Sequence, residues 1–582
     1  MRSFKAIASP ILPDRPHLRQ LILALLLALL ACTTFAPSLL NEFVHWDDPT
    51  NFLKNPIFWG VSRDHIKAML TANVLGVYQP VSWLIFAVIY RIFELNPLGY
   101  HLAGIVFHAA NTVLVFFLIG KFIAQTSLQG VGPASPPDQG DDVLPPTSAI
   151  PLDSAAWLAA AFWGLHPLRV EPVAWASAVP YTIATFFALL SLLAYIRYSQ
   201  AKSKNARVTL YGLSILTFIL SICSKSIAVP LPLVLLLIDL YPLNRWQVDK
   251  CRGRVGHNLK LIAEKVPYLL VSTAGALASL LLNMPGGGEG GLTLDKIIQR
   301  MGQAAYSPIF HLRLTAIPHP LLPFYYLPSY RFATILIPAV LLVLAITVIL
   351  IIVYRRYPFL LIAWIAYLLL LAPHSGVIYH GSYYGADRYT YLTTIPFFMI
   401  IGAFWAYISQ KPIFKKPGYI SFLIIVTLLF TLTILAKGQC NIWQGTKSLW
   451  NHTLKHNATH TLALNNLGVA HLQSGETNAA MSYWQKAILI SPEFQLAQTN
   501  IGIAYTKMGL KSLALRHLKK ALTKNTVSVS AYNNIGLLYE KLGEFQKAKE
   551  AYDKALKIAP KSVSTINHLG NLYASQGKQK KA

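Results

Sequence analysis

The chain has 582 residues, of which 54% are hydrophobic, 12% aromatic and 13% charged. Soluble domains carry about 25% charged residues, so this composition excludes a soluble enzyme and a disordered scaffold and points to a polytopic membrane protein. The net charge of +27, from 50 Lys+Arg against 23 Asp+Glu, is read first as spans whose cytoplasmic loops collect Lys and Arg, and no nucleic-acid partner is expected.

The N-terminal arm carries Arg2, Lys5, Arg15 and Arg19 ahead of an apolar run from Leu21, which keeps the arm inside. Leu29-Leu30-Ala31-Cys32 loosely resembles a lipoprotein cleavage box, but an uncleaved first span is expected because further spans follow. A long outer loop, 41–98, comes next; within it Val81 to Phe93 is apolar but short, read as an interfacial helix with a span over 79–95 as the alternative. Spans are then expected near 99–121, 154–172, 181–198, 208–224, 226–244, 266–284, 331–353, 358–374, 389–408 and 418–437, eleven with the first. That count puts four basic clusters on the side of the N-terminal arm: Arg197/Lys202/Lys204/Arg207, the six cations from Arg245 to Lys265, Arg355/Arg356, and Lys411/Lys415/Lys416. The Gly/Pro/Asp stretch 125–153 is expected inside as a linker. Cys32, Cys223, Cys251 and Cys440 are scattered and form no CxxC, so neither a zinc knuckle nor a disulfide framework is implied.

From 438 the chain turns polar. After a connector, 438–463, a period of 34 residues appears in 464–582: Gly468, Gly502, Gly536 and Gly570 repeat at that spacing, as do Gly475, Gly509, Gly543 and Gly577, and Ala480, Ala514, Ala548 and Ala582. With Tyr505, Tyr539 and Tyr573 three residues after a glycine and Pro492 and Pro560 closing repeats, this is a tetratricopeptide pattern of three complete repeats and a truncated fourth. The chain is therefore expected to be a fragment or to fray at its end. The fold class is all-α: a polytopic membrane domain over 1–437 followed by an α-solenoid. An odd number of spans puts the repeats outside.

Polar residues gather at the outer ends of the spans. Asp47-Asp48 in the first outer loop suits a general base or a metal, or Asp48-Pro49 starts a helix. His166-Pro167-Leu168-Arg169-Val170-Glu171 places three ionisable groups at a span end, where an interfacial Arg–Glu pair is the plain alternative. Lys225 lies between two apolar runs, and Asp387-Arg388-Tyr389 opens another; an ammonium and a guanidinium suit a phosphate, while a snorkelling Lys and an Asp–Arg pair are the structural readings. Together these groups suggest a site for an anionic lipid headgroup and a nucleophile. Asp239 falls near the inner face and is left outside it.

These residues sit in blocks that resemble the transmembrane-and-tetratricopeptide-containing family: Phe43 to Asp48 with Asn55-Pro56, Tyr78-Gln79-Pro80-Val81, Asn96 to Leu102, His166 to Trp175, Ser224-Lys225 with Pro230-Leu231-Pro232, Asp239 to Leu243, Arg388 to Tyr391, and Trp443 to Trp450. The resemblance covers nearly the whole chain and implies a GT-C glycosyltransferase fold related to protein O-mannosyltransferases. Such enzymes take a mannose-like sugar from a polyprenyl-phosphate sugar, with inversion, and place it on a protein hydroxyl. By that resemblance Asp47 acts as base, Asp48 orients the acceptor, and Lys225 and Arg388, with Arg169, meet the donor phosphate; His166, Glu171 and Tyr389 support them. The lipid-linked sugar is a substrate, and neither a cofactor nor a metal is implied. Relatives carry a charged Arg/Lys-Asp pair where this chain has Ser177-Ala178-Val179-Pro180-Tyr181-Thr182.

Asn466, Asn500 and Asn534 recur on the first helix of each repeat. They resemble the asparagine ladder of O-GlcNAc transferase, which implies a peptide-binding groove, or they bond within the solenoid. The expected partners are thus the lipid-linked sugar, an acceptor protein or peptide in the repeat groove, and membrane lipids. The alternative is a non-catalytic, membrane-anchored repeat scaffold for envelope assembly; a transporter fits less well, since no midplane polar set or inverted repeat is visible. The expected location is a bacterial inner membrane, with the N-terminus cytoplasmic and the repeats periplasmic.

Overall fold

The computed structural model describes residues 15–127, 150–246, 254–283, 294–326, 332–375, 383–408, 419–522, 528–560 and 562–576. The bulk of the 125–153 linker, the Lys411/Lys415/Lys416 cluster, Cys251 and the register mark Ala582 lie outside them. The chain is all-α apart from a two-stranded antiparallel sheet, Tyr325–Tyr326 with Tyr383–Gly385. It divides into two compact units, the first running to Gln444 and the second from Gly445.

In the first unit, seven helices among the described residues are long and apolar enough to cross a membrane: Pro16–Leu40, Pro97–Thr126, Ala176–Gln200, Lys204–Ser224, Gly256–Ser279, Thr334–Val353 and Leu423–Ile442. An eighth is the pair Asp387–Thr393 and Ile395–Ala406, bent by 54°. Each of the eleven expected spans falls on a helix, but Ile150–Gly164, Leu231–Leu240 and Pro358–Leu371 are short of the roughly 20 residues a straight crossing needs. Proline punctuates these apolar runs. Pro230 and Pro232 sit at the start of the helix Leu231–Leu240, and His166-Pro167 follows the end of Ile150–Gly164. The sequence shows apolar length, whereas the backbone breaks where an N–H is missing.

Pro80–Phe93 is a 14-residue helix, at the place expected for a short apolar helix in the first loop. Its Trp83, Phe86 and Ala87 pack with Phe52, Phe58 and Tyr100 into an aromatic core that ties the 41–79 loop to the helix Val179–Gln200 through Val179 and Ile183. This core fixes the loop that carries the acidic pair.

Two helices run parallel from a common end. Arg19 on Pro16–Phe35 donates to Asp153 on Ile150–Gly164 (Nε to Oδ2, 2.8 Å), and Trp157 Nε1 donates to the Leu23 carbonyl (3.1 Å). Their opposite ends lead to Asp47-Asp48 and to His166–Glu171.

The second unit stacks helix pairs with the repeat period. First helices Thr461–Gln473, Gln495–Lys507 and Val529–Lys541 each end at a glycine of positive φ, namely Gly475 (+80°), Gly509 (+76°) and Gly543 (+73°). That left-handed conformation is open to glycine at little cost. The register alanines Ala480, Ala514 and Ala548 are fully buried, which allows close helix contact.

Candidate functional site

The acidic pair follows the first long helix. Asp48 immediately precedes the turn Pro49–Leu53, yet its carboxylate caps no N–H of that turn. Instead it is fully buried and reaches across the fold. Oδ2 accepts from the Val44 N–H (2.8 Å), and Oδ1 accepts from the Ser177 N–H (3.0 Å) and the Ser177 hydroxyl. Asn51 Nδ2 donates to the same hydroxyl oxygen (2.9 Å), so Ser177 is held from both sides. Burial raises the Asp48 carboxyl to about 7, against the pull of those hydrogen bonds and with a further push from the charge of Asp47.

Asp47 differs from its neighbour. No side-chain hydrogen bond holds its carboxylate among the described residues; it is half-buried and feels the positive charges of Arg388 and Lys225. Burial still wins, and its pKa lies above the ordinary carboxylate value. A half-buried carboxylate beside two cations is free to take up a proton from a bound group.

Lys225 ends the helix Lys204–Ser224, and its Nζ lies over the Tyr181 ring at 5.3 Å. The Ser82 hydroxyl donates to the Ser224 carbonyl (2.9 Å) and pins this helix end to Pro80–Phe93. Arg388 begins the bent pair. Its backbone N–H donates to Glu171 Oε2 (2.6 Å), and its guanidinium pairs with Glu171 Oε1. The guanidinium also lies over the rings of Tyr389 (5.1 Å), Trp175 (5.4 Å) and Trp46 (5.8 Å), with Trp46 and Trp175 stacked at 4.4 Å. The Arg388 partner is thus Glu171; neighbouring Asp387 instead accepts from the Tyr325 hydroxyl (2.7 Å). Tyr389 stacks on His374 (4.4 Å), and together with Tyr181 and Arg388 these two rings line a small cavity.

Asp47, Asp48, Lys225, Arg388, Glu171 and Tyr389 therefore form one neighbourhood. Arg169 does not face it. Its guanidinium is fully buried, with Nε on the Trp163 carbonyl (3.2 Å), Nη1 on the Thr390 carbonyl (2.8 Å) and Nη2 on the Thr394 hydroxyl (2.8 Å). Those bonds tie three segments together and leave it no open side for a phosphate. His166 is likewise enclosed, with Nε2 by the Thr315 carbonyl (3.0 Å) and Nδ1 accepting from the Leu168 N–H (3.2 Å). Trp46, Trp175, Ser177, Tyr181 and His374 are site residues that the sequence reading did not assign. Trp46 and Trp175 lie inside the family-like stretches 43–48 and 166–175, which is a usable signal; Ser177 and His374 offer none.

In the repeats, Asn465 bridges two of the expected ladder positions. Its Nδ2 donates to Asn466 Oδ1 (3.0 Å) and its Oδ1 accepts from Asn500 Nδ2 (2.9 Å). Asn534 Nδ2 donates to the Ser530 carbonyl (2.8 Å). These amides bond within the solenoid.

Tetratricopeptide repeat family models match residues 461–491 and 529–562. A Caenorhabditis elegans protein O-mannosyl-transferase is 23% identical over 164 residues, which is 28% of this chain and 19% of that protein. The match thus spans about a fifth of that relative. Among solved structures, MamA is 27% identical over 23% of this chain and 79% of its own (TM-score 0.21), and the Cut9–Hcn1 assembly is 13% identical over 87% and 85% (TM-score 0.23).

Proposed function

We propose that this protein is a multi-pass membrane glycosyltransferase of the inverting GT-C type. It moves a mannose-like sugar from a polyprenyl-phosphate donor to a protein hydroxyl at the face that carries Asp47, and its repeats recruit the acceptor. The observation that carries this reading is the half-buried Asp47 carboxylate, which feels the charges of Lys225 and Arg388 and follows Trp46, over whose ring the Arg388 guanidinium lies. The apolar helices, the tetratricopeptide repeats and the partial likeness to a protein O-mannosyl-transferase support it.

The chemistry follows from the arrangement. Asp47 takes the proton from an acceptor hydroxyl as its oxygen attacks the anomeric carbon on the face opposite the donor phosphate. The sugar–phosphate C–O bond breaks, and the departing polyprenyl phosphate gains a negative charge. Lys225 and Arg388 stabilise that charge as it develops. Glu171 and the rings of Trp46 and Trp175 hold the Arg388 guanidinium in place. Asp48, locked by Val44 and Ser177, fixes the strand of loop that presents Asp47.

The test is sugar transfer in membranes from cells expressing the parent, Asp47→Asn or Lys225→Gln. General-base catalysis contributes typically 10²–10⁴-fold, so Asp47→Asn is expected to lose transfer by at least about a hundredfold while the protein level is unchanged. Equal glycan levels in all three would leave the second reading, a repeat scaffold without catalysis. That reading draws on the repeats alone and predicts that deleting them, but not changing Asp47, releases its protein partners.

A further inference from the structure

The end of the helical unit opposite Asp47 carries a second feature. A crevice of about 250 Å³ opens between the helices Pro97–Ser127, Val179–Gln200 and Lys204–Ser224. Leu114 and Phe117 from the first, Leu193 from the second and Leu213 from the third contribute to its walls. The one hydroxyl among its lining residues, on Thr217, donates to the Leu213 carbonyl (2.8 Å). The walls therefore offer a ligand dispersion contacts and no hydrogen bond. Its volume falls below the roughly 300–1,000 Å³ of pockets that enclose a drug-sized molecule, so it suits a section of hydrocarbon chain.

Two cations close one end. Lys121 and Arg197, both exposed, are also lining residues, and each sits in the last turns of its helix. Gln200 Nε2 donates to Gln125 Oε1 (3.1 Å) and draws these two helix ends together. Among the described residues no carboxylate pairs with Lys121 or Arg197. Lys202, Lys204 and Arg207 follow in the connection to, and first turn of, Lys204–Ser224. An apolar slot with paired cations at its mouth matches an amphiphile with an anionic head.

We propose that this crevice binds an anionic diacyl phospholipid of the bilayer, with one acyl chain between the three helices and the phosphate against Lys121 and Arg197. The proposal rests on the membrane reading given above. It does not concern the donor lipid, whose phosphate is assigned to Lys225 and Arg388 at the other end of Lys204–Ser224. Anionic lipids are concentrated in the cytoplasmic leaflet, the leaflet in which the charge pattern places Lys121 and Arg197.

The experiment is native mass spectrometry of the full chain after exchange into nanodiscs of phosphatidylglycerol, phosphatidylcholine or a mixture. Phosphatidylglycerol is expected to be retained in preference by roughly thirtyfold, the order set by two cations at a charged leaflet. Lys121→Gln with Arg197→Gln is expected to reduce that preference to near unity. Leu193→Trp, which fills the slot and leaves both cations, is expected to lower retention of either lipid. Thermal unfolding of each variant alongside the parent checks the fold. Equal retention of phosphatidylglycerol in the double variant, or full displacement by glycerol 3-phosphate without acyl chains, would overturn the proposal. So would a disulfide-linked dimer through Leu213→Cys, which would give the crevice to a second copy. Release of the chain from membranes by carbonate washing would instead bring down the membrane reading, and that outcome is scored before any lipid is added.

Discussion

At the scale of single residues, the acidic pair behaves as two different groups. Asp48 is locked by Val44 and Ser177, and burial sets its pKa at about 7; Asp47 lies higher than an ordinary carboxylate for the same reason. A base must be unprotonated, so transfer by Asp47 is expected to fall off at a pH above the ordinary carboxylate range, measured as kcat/KM against pH. The sign for stability is opposite. A carboxyl whose folded pKa is raised holds its proton more tightly when folded, so its contribution is complete below the unfolded value and is lost as pH rises through about 7. The Ser177 hydroxyl favours the ionised form of Asp48. Ser177→Ala is therefore expected to move the pH at which the Asp48 contribution to stability is lost upward by about one pH unit, as loss of a hydrogen bond to a charged group implies, read by thermal unfolding against pH, and Ser177→Thr to restore it. The acidic pair, Lys225 and Arg388 were legible because charge is rare in this chain and each stands out in an apolar context. The role of Ser177 was not. It lies 129 residues from Asp48, in a segment that read only as lacking a charged pair. Arg169 was misleading for a related reason: a guanidinium at a helix end looks available until tertiary carbonyls take up its donors.

At the scale of elements, the repeats were the most legible part, because a fixed period forces the same small residues into the same contacts. A Cβ on Gly468 would stand 2.3 Å from Trp484 Nε1, and Trp484 is itself buried and bonded to the Asn465 carbonyl (3.0 Å). Gly468→Ala is expected to destabilise the repeat unit by about 1–3 kcal/mol through overpacking, seen as faster limited proteolysis within that unit of the full chain. Gly212→Ala is the matched control, since nothing lies within 4 Å of a Cβ there. The asparagine ladder was legible as a period but not as a contact, because Asn465, outside the ladder register, supplies the link between Asn466 and Asn500. A second cluster was visible in the sequence only as separate charges near the inner face. Asp239 on Leu231–Leu240 is fully buried with Lys265, takes Arg245 Nη1 (3.1 Å) and accepts the Tyr195 hydroxyl (2.7 Å). Those partners span three segments, and only folding assembles them. Asp239→Asn takes from buried Lys265 its nearer counter-charge and leaves it only Glu264 Oε2 at 3.5 Å, and is expected to cost about 3–5 kcal/mol, read by thermal unfolding in detergent. Adding Lys265→Met is expected to recover most of it, whereas sugar transfer per folded molecule stays at the parent level in both.

At the scale of the whole molecule, the number of crossings decides which groups share a face. If only the seven long helices and the bent pair cross, the route from Asp47 to Lys225 leaves the two on opposite sides of a bilayer. Yet Lys225 and Asp47 act on each other electrostatically, with Arg388 beside both. They come to one face if either Pro80–Phe93 or the stretch from Ile150 to Glu171 is also a passage, and the Arg19–Asp153 pair, which sets the start of Ile150–Gly164 beside the start of the first helix, selects the latter. Omitting either Leu231–Leu240 or Pro358–Leu371 alone puts Arg388 on the other side from Asp47, and omitting Leu231–Leu240 moves the basic clusters at 245–265 and 355–356. Eleven passages, several of them short or broken, reconcile the site geometry with the positive-inside pattern. Under the proposed membrane reading an odd count puts the N-terminus and the repeats in different compartments, whereas eight crossings put them in the same one. An impermeant thiol reagent applied outside intact cells separates the two. Leu489→Cys, at a position 84% exposed in the second unit, is expected to be labelled together with Ser62→Cys, and Lys204→Cys only after lysis. Labelling of Lys204→Cys but not Leu489→Cys in intact cells would establish eight crossings and would separate Lys225 from the proposed base.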